Sequence, residues 1–252
     1  DITLNADDRS TIFANAGILS IAVGLGNKAL AASMGASLAI NTVTGEIQAY
    51  SQDSILNAGG GFALDAAANT TIWAMTLGGV GAGGKGTGSF GLAFSGAGAG
   101  SLNIIERSIG AYVERTDTSE TSPVTTGNGE GVVLTAKDHS QILAGAGTLS
   151  VAVGIGGGTG VGGSMGASVN VNVVKNTIDS HISGTTVLSA DDVDLDAESS
   201  ATIWSLAIAG SLGVGVGRPA AGAGGGGGGQ GGTGVGIAVS GAVTVNVIAN
   251  QT

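Results

Sequence analysis

The sequence predicts an all-β protein with essentially no helix, built as a repetitive β-solenoid-like stack of four units of about 60–70 residues. Three observations carry that prediction. Apolar residues alternate with small or polar ones over long stretches, as in Val169–Asn170–Val171–Asn172–Val173, and a strand sends such neighbours to opposite faces. One order of motifs recurs four times along the chain. Length varies only between those motifs, in glycine-rich or polar stretches where loops accept insertions.

The units run at about 1–60, 61–130, 131–191 and 192–252. Leu4, Leu64, Leu134 and Leu195 correspond, as do Ile12, Ile72, Ile142 and Ile203, with isoleucine spacings of 60, 70 and 61 residues. The first and third units share SMGAS at Ser33–Ser37 and Ser164–Ser168, whereas the second and fourth share TIW at Thr71–Trp73 and Thr202–Trp204. The repeat is therefore a pair of about 130 residues present twice. Residues 1–252 read as a single repeat domain and as a segment of a longer chain.

Each unit opens with an arm in which large apolar residues alternate with small ones. Leu19, Ile21, Val23 and Leu25 share one face in the first unit, and Leu149, Val151, Val153 and Ile155 repeat it in the third. A glycine-rich tip follows, at about 24–32, 78–91, 154–163 and 210–234. A return arm then carries an asparagine between apolar neighbours, and a polar connection at about 51–60, 114–130 and 183–192 leads onward. Pro123 and Pro219 fall in these variable stretches, where no ladder hydrogen bond is lost.

Such a unit cannot bury its own apolar face, so it must stack on its neighbours. Two geometries satisfy the pattern. Each unit is a solenoid coil of several short strands, or each is a long β-hairpin turning at the glycine tip. Hairpin arms of some 25 residues would reach about 80 Å if straight, far beyond ordinary strands, which favours the coil.

Composition narrows the chemistry. Fifty glycines, two prolines, 3% aromatic residues and a mean hydropathy of +0.40 demand a thin core of small and β-branched side chains. A charged fraction of 10% is too low for intrinsic disorder. The net charge of −10 and pI near 4.3 exclude phosphate-backbone binding by basic patches. The uncharged runs at 140–174 and 219–252 are long enough for a transmembrane helix, but their glycine content and strict alternation point to strands. No nucleic-acid partner and no membrane span are expected. Without cysteine there is no disulfide or thiolate metal site.

Four equivalent asparagines, Asn41, Asn103, Asn172 and Asn246, are the candidate structural site. In stacked strands their amides would hydrogen-bond from one layer to the next; otherwise they face water on a half-exposed strand. Asp7, Asp8, Asp191, Asp192 and Asp194 are weak Ca²⁺ candidates through their carboxylate oxygens, with solvated turns as the plainer reading. His139 and His181 occupy non-equivalent places, and Trp73 and Trp204 are equivalent to each other, which suggests packing. The glycine runs, Gly224–Gly229 included, lack the lysine and the strand–loop–helix context of a phosphate loop. With no constellation that breaks the repeat, neither enzymatic activity nor a cofactor is expected. Acidic residues gather near the connections, while the tips carry single cations at Lys28, Lys85 and Arg218.

The segments Ser10–Ala14, Thr70–Ala74 and Ala201–Ser205, with Gly35–Val43 and Gly166–Val174, resemble the Gly/Ala/Val-rich β repeats of very large bacterial surface adhesins, the filamentous-haemagglutinin-like and leukotoxin-like filamentous adhesins. That resemblance implies an extracellular or cell-surface protein serving as a rigid stalk or filament segment. Its partners would be neighbouring repeats, identical chains, and a host or bacterial cell surface. Two alternatives remain: a fibre subunit assembling through basic tips and an acidic edge, and a module binding glycans or a cell surface.

Overall fold

The computed structural model describes residues 1–115, 124–218 and 231–252. Pro123, Pro219 and the Gly224–Gly229 run lie outside the described residues. Within the described residues the chain is all-β, with no helix and no antiparallel strand pair.

A short sheet comprises β1 (Ile2–Asp8), β4 (Phe62–Ala68), β7 (Val132–Asp138) and β11 (Val193–Ser199), side by side and parallel in that order. Their register places Leu4 beside Leu64, Leu64 beside Leu134, and Leu134 beside Leu195. A minor sheet joins the two-residue strands β3 (Leu56–Asn57), β6 (Val124–Thr125) and β10 (Val187–Leu188).

The main sheet is built from much longer strands. β2 (Thr11–Gln52) and β5 (Thr71–Glu114) each run out, double back at the tip and return. They pair with each other from Thr11↔Thr71 to Gln52↔Glu114, with one irregularity between Gly26 and Lys28. In the next segment β8 (Gln141–Gly156) is the outgoing arm and β9 (Thr159–Ser183) the returning one. Both pair with β5. In the last, β12 (Thr202–Gly217) lies on β8 and β13 (Thr233–Ile248) on β9. Ile12, Ile72, Ile142 and Ile203 thus occupy one row across the sheet.

The arms of a segment are therefore not the two strands of a hairpin. They belong to opposite layers that meet through side chains, as where Ser20 Oγ and Ser33 Oγ lie 2.8 Å apart. Nor are the coils made of several short strands, because a flat interior of small residues lets each arm continue for 16 residues or more.

The interior tapers. At the connection end it is filled by Phe62, Leu64, Leu134, Ile109 and Ile178. Farther out Ile72, Ile105, Ile142 and Val174 take over, then only Ala31, Ala82, Ala93 and Ala152. Near the tip Gly24, Gly84, Gly154 and Gly215 form one row. A Cβ placed on them would fall 2.3, 2.2, 1.9 and 2.1 Å from the carbonyl oxygens of Leu30, Leu92, Val161 and Val235. Only glycine permits that approach, and the two layers close into a thin blade.

The thin interior reverses the expected burial. Burial of the apolar face by stacking is the expectation for these arms. Instead, beyond the buried isoleucines near the connection end, the small and polar residues face in and the large apolar ones face out: Asn170 is fully buried, whereas Val169 is 44% exposed. Leu19, Ile21, Val23 and Leu25 are all about 70% exposed or more. The gap between the layers accommodates alanine, serine and asparagine, but no second row of leucines.

Candidate functional site

The asparagines inside the blade satisfy one another, whereas the buried Thr148 and Ser168 hydroxyls have no partner. Asn41 Nδ2 donates to Asn103 Oδ1 at 2.7 Å, Asn103 Nδ2 to Asn172 Oδ1 at 2.7 Å, and Asn172 Nδ2 to Asn246 Oδ1 at 2.9 Å. The structure thus brings all four sequence-selected asparagines into one row. Asn103 and Asn172 are fully buried; Asn246, on the end strand, is exposed and also accepts a bond from Ser205 Oγ at 3.0 Å. A buried amide left unpaired costs about 1–3 kcal/mol, so this pairing makes a polar interior tolerable. Serines follow the same logic: Ser95 and Ser150 are 2.7 Å apart across the layers, and Ser101 Oγ donates to Asn170 Oδ1 at 2.8 Å.

A second polar cluster holds the corner where the short sheet passes into the outgoing arms, and sequence reading did not find it. Arg107, on the returning part of β5 and 7% exposed, pairs with Asp8 and donates to Ser10 Oγ at 3.2 Å. These partners lie on neighbouring segments, since Asp8 aligns with Ala68 of the segment that carries Arg107. Asp138 is fully buried and accepts bonds from the Ser140 backbone N–H at 3.1 Å, Ser199 Oγ at 3.2 Å and Asn250 Nδ2 at 3.2 Å. The recurring Asp-x-Ser at Asp8–Ser10 and Asp138–Ser140 was the available signal; both are side-chain-closed turns.

The calcium candidates are not gathered. Asp7 is held by Arg9 at 2.7 Å and by Asn69 Nδ2 at 3.3 Å, while Asp8 is engaged by Arg107. Asp194 lies on β11, separated by β4 and β7 from the β1 strand that carries Asp7 and Asp8. Asp191 and Asp192 precede β11, and the Asp192 carbonyl accepts the Val132 N–H at 3.0 Å. No group of three His, Asp or Glu side chains placed to hold a metal occurs among the described residues.

His181 completes an aromatic column on the connection end, stacked on Tyr112 with ring centroids 5.1 Å apart; Tyr112 in turn stacks on Tyr50 at 5.2 Å. Burial, then the neighbouring Tyr50, Glu114 and Glu46, raise the Tyr112 phenol above its ordinary value. Trp73 and Trp204 share a row but are separated by Leu143, and Trp204 is 70% exposed on the outer face. The tip cations Lys28, Lys85 and Arg218 are exposed. At the opposite end the charges are partly paired, as in Lys175–Glu106 at 3.0 Å and Lys137–Asp196 at 3.4 Å.

Outer faces are where the molecule departs most from an ordinary soluble β protein. From Leu92 to Ile104 and from Val161 to Val173 the outward positions hold no charge. The same is true of Leu19–Leu25 and Val235–Val247. No helix among the described residues is long and apolar enough to cross a membrane. Compared with protein-family models, curated proteins and solved structures, the chain matches none.

Proposed function

We propose that the chain is a structural repeat, a stalk or filament segment of an extracellular, bacterial adhesin-like surface protein. Each 60–70-residue unit is one coil of a flattened β-solenoid, and the four coils form two copies of the paired repeat. The observation that carries this reading is the amide row Asn41–Asn103–Asn172–Asn246, continuous through every segment. It rewards the addition of like layers and serves no chemistry on a bound molecule. The resemblance of the arm motifs to adhesin repeats supplies the cellular setting, and the reading is non-enzymatic.

The first and last strands leave parallel edges with the same row spacing as the interior ones, which suits continuation by further units. Parallel strands are spaced about 4.8 Å, so each coil adds little height while the arms extend far sideways. The object is a broad ribbon more than a slender rod.

Electron microscopy of this chain beside a tandem duplicate tests the proposal. Particles of constant cross-section whose long-axis height grows by about 19 Å per added chain support it. Two separate compact bodies in the duplicate would count against it. A fibre subunit assembling through basic tips and acidic edges is the second reading, favoured by the separation of Lys28, Lys85 and Arg218 from the acidic end. Its assemblies would dissolve as salt shortens the screening length.

A further inference from the structure

We propose that the returning arms form a self-association face, docking on the same face of a second copy of this chain. The face comprises the outward positions of the β2 return, the β5 return, β9 and β13. Met34 is 83% exposed on it, Leu38 64%, Met165 65% and Val239 58%. Four strands about 4.8 Å apart and twelve residues long give it roughly 800 Å². That matches the roughly 800 Å² each partner contributes to a stable protein–protein interface, and far exceeds the scattered apolar side chains of a monomer surface.

On both outer faces large side chains lean over glycines of the adjacent strand, Leu19 on Gly79 along the outgoing arms and Leu38 on Gly100 along the returning ones. The outgoing face holds a hollow of about 390 Å³ beside Phe13, Trp73 and Trp204. The returning face keeps a groove of about 720 Å³ crossing all four segments, floored by Ala36, Gly98, Ala167 and Gly241 and flanked by Met34 and Met165. The floor row is in register across its strands. With the two floor rows face to face, Met34 and Met165 of one copy lie over Leu38 and Val169 of the other, and the flexible methionines close over the shared groove.

Charge selects the orientation. Lys28 lies eight residues before Ala36, and Glu106 eight residues after Gly98. A two-fold axis along the floor row reverses the strands, bringing the cationic tip of each copy over the region of the other where Glu106 is paired with Lys175 and Glu46 leaves a net negative charge. The association is isologous and closed, as dimers prefer. Lipid hydrocarbon is the poorer occupant, because β2, β12 and β13 end the sheet and their unpaired backbone groups would each cost several kcal/mol there.

Sedimentation of the full chain over a range of micromolar concentrations, with vesicle flotation alongside, tests the proposal. A dimer is expected, weakened at least tenfold by the double variant Met34→Lys/Met165→Lys, whose outward positions leave the strand signal in circular dichroism intact. Because the chain has no cysteine, Ala36→Cys should give a disulfide-linked dimer on mild oxidation, while Val151→Cys on the opposite face should not. The Ala36→Cys result decides the matter if the lysine variant fails to fold. A wild type that stays monomeric overturns the proposal, as does a dimer that the lysines spare and Ala36→Cys does not trap. Flotation of monomers with phosphatidylcholine–phosphatidylglycerol vesicles overturns it in favour of lipid.

Discussion

Asn103 donates its side-chain amide to Asn172 Oδ1 at 2.7 Å while its own carbonyl accepts the amide of Asn41 at the same distance. Both of its polar functions are used, inside a layer that water does not reach.

Asn103→Ala would strand an amide on one side and a carbonyl on the other, and open a small void. Its unfolding free energy should fall by about 3 kcal/mol. Asn246→Ala releases the Asn172 amide at the end of the row that water can reach, and should lose less, about 1 kcal/mol. Urea denaturation of both variants measures this, and equal losses would contradict the interior role of Asn103.

Arg107, on the return arm of the second segment, is joined to Asp8 and Ser10 of the first. Removing one partner of a buried ion pair costs more than removing both. Arg107→Met should therefore lower stability by about 2–3 kcal/mol, the half-exposed Asp8 limiting the loss. The double variant Arg107→Met/Asp8→Asn should recover part of it in the same assay.

The glycine row near the tip separates close approach from mere abundance of glycine. At Gly154 a Cβ would meet the Val161 carbonyl at 1.9 Å, whereas at Gly83 nothing lies within 4 Å. Gly154→Ala should cost about 3 kcal/mol or more, and Gly83→Ala should stay within about 0.5 kcal/mol. Comparing their thermal transitions decides the point.

Tyr112 supplies the pH dependence. Burial first, then Tyr50, Glu114 and Glu46, favour its neutral phenol in the folded chain. Its folded value lies above its unfolded one, so its contribution is complete below the ordinary tyrosine range and is lost as pH rises through the raised value. Tyrosinate absorbance should show one late-titrating phenol, and Tyr112→Phe should remove that step.

Strand content, the four-fold motif order and the asparagine row were legible because all depend on local alternation and on recurrence. Which face turns inward was not. Alternation of Val169 with Asn170 states only that two faces differ; burial of the asparagine follows from the glycines at 154 and 215, which act across the fold. The same holds for the paired repeat: Leu19 beside Gly79 and Leu149 beside Gly210 show each large residue resting on its neighbour's glycine. Arg107 escaped notice because its partner lies 99 positions away, in another segment.

The amide row has a direction. Every Nδ2 in it points from the first segment toward the last, leaving the Asn41 carbonyl at one terminus of the row and the Asn246 amide at the other. A further layer laid on Asn246 must offer an acceptor, and one laid beneath Asn41 must offer a donor. Growth by such layers would be vectorial, head meeting tail, and an axis parallel to the row leaves that sense unchanged in both members of the proposed pair. Whatever such blades build would have two chemically distinct ends.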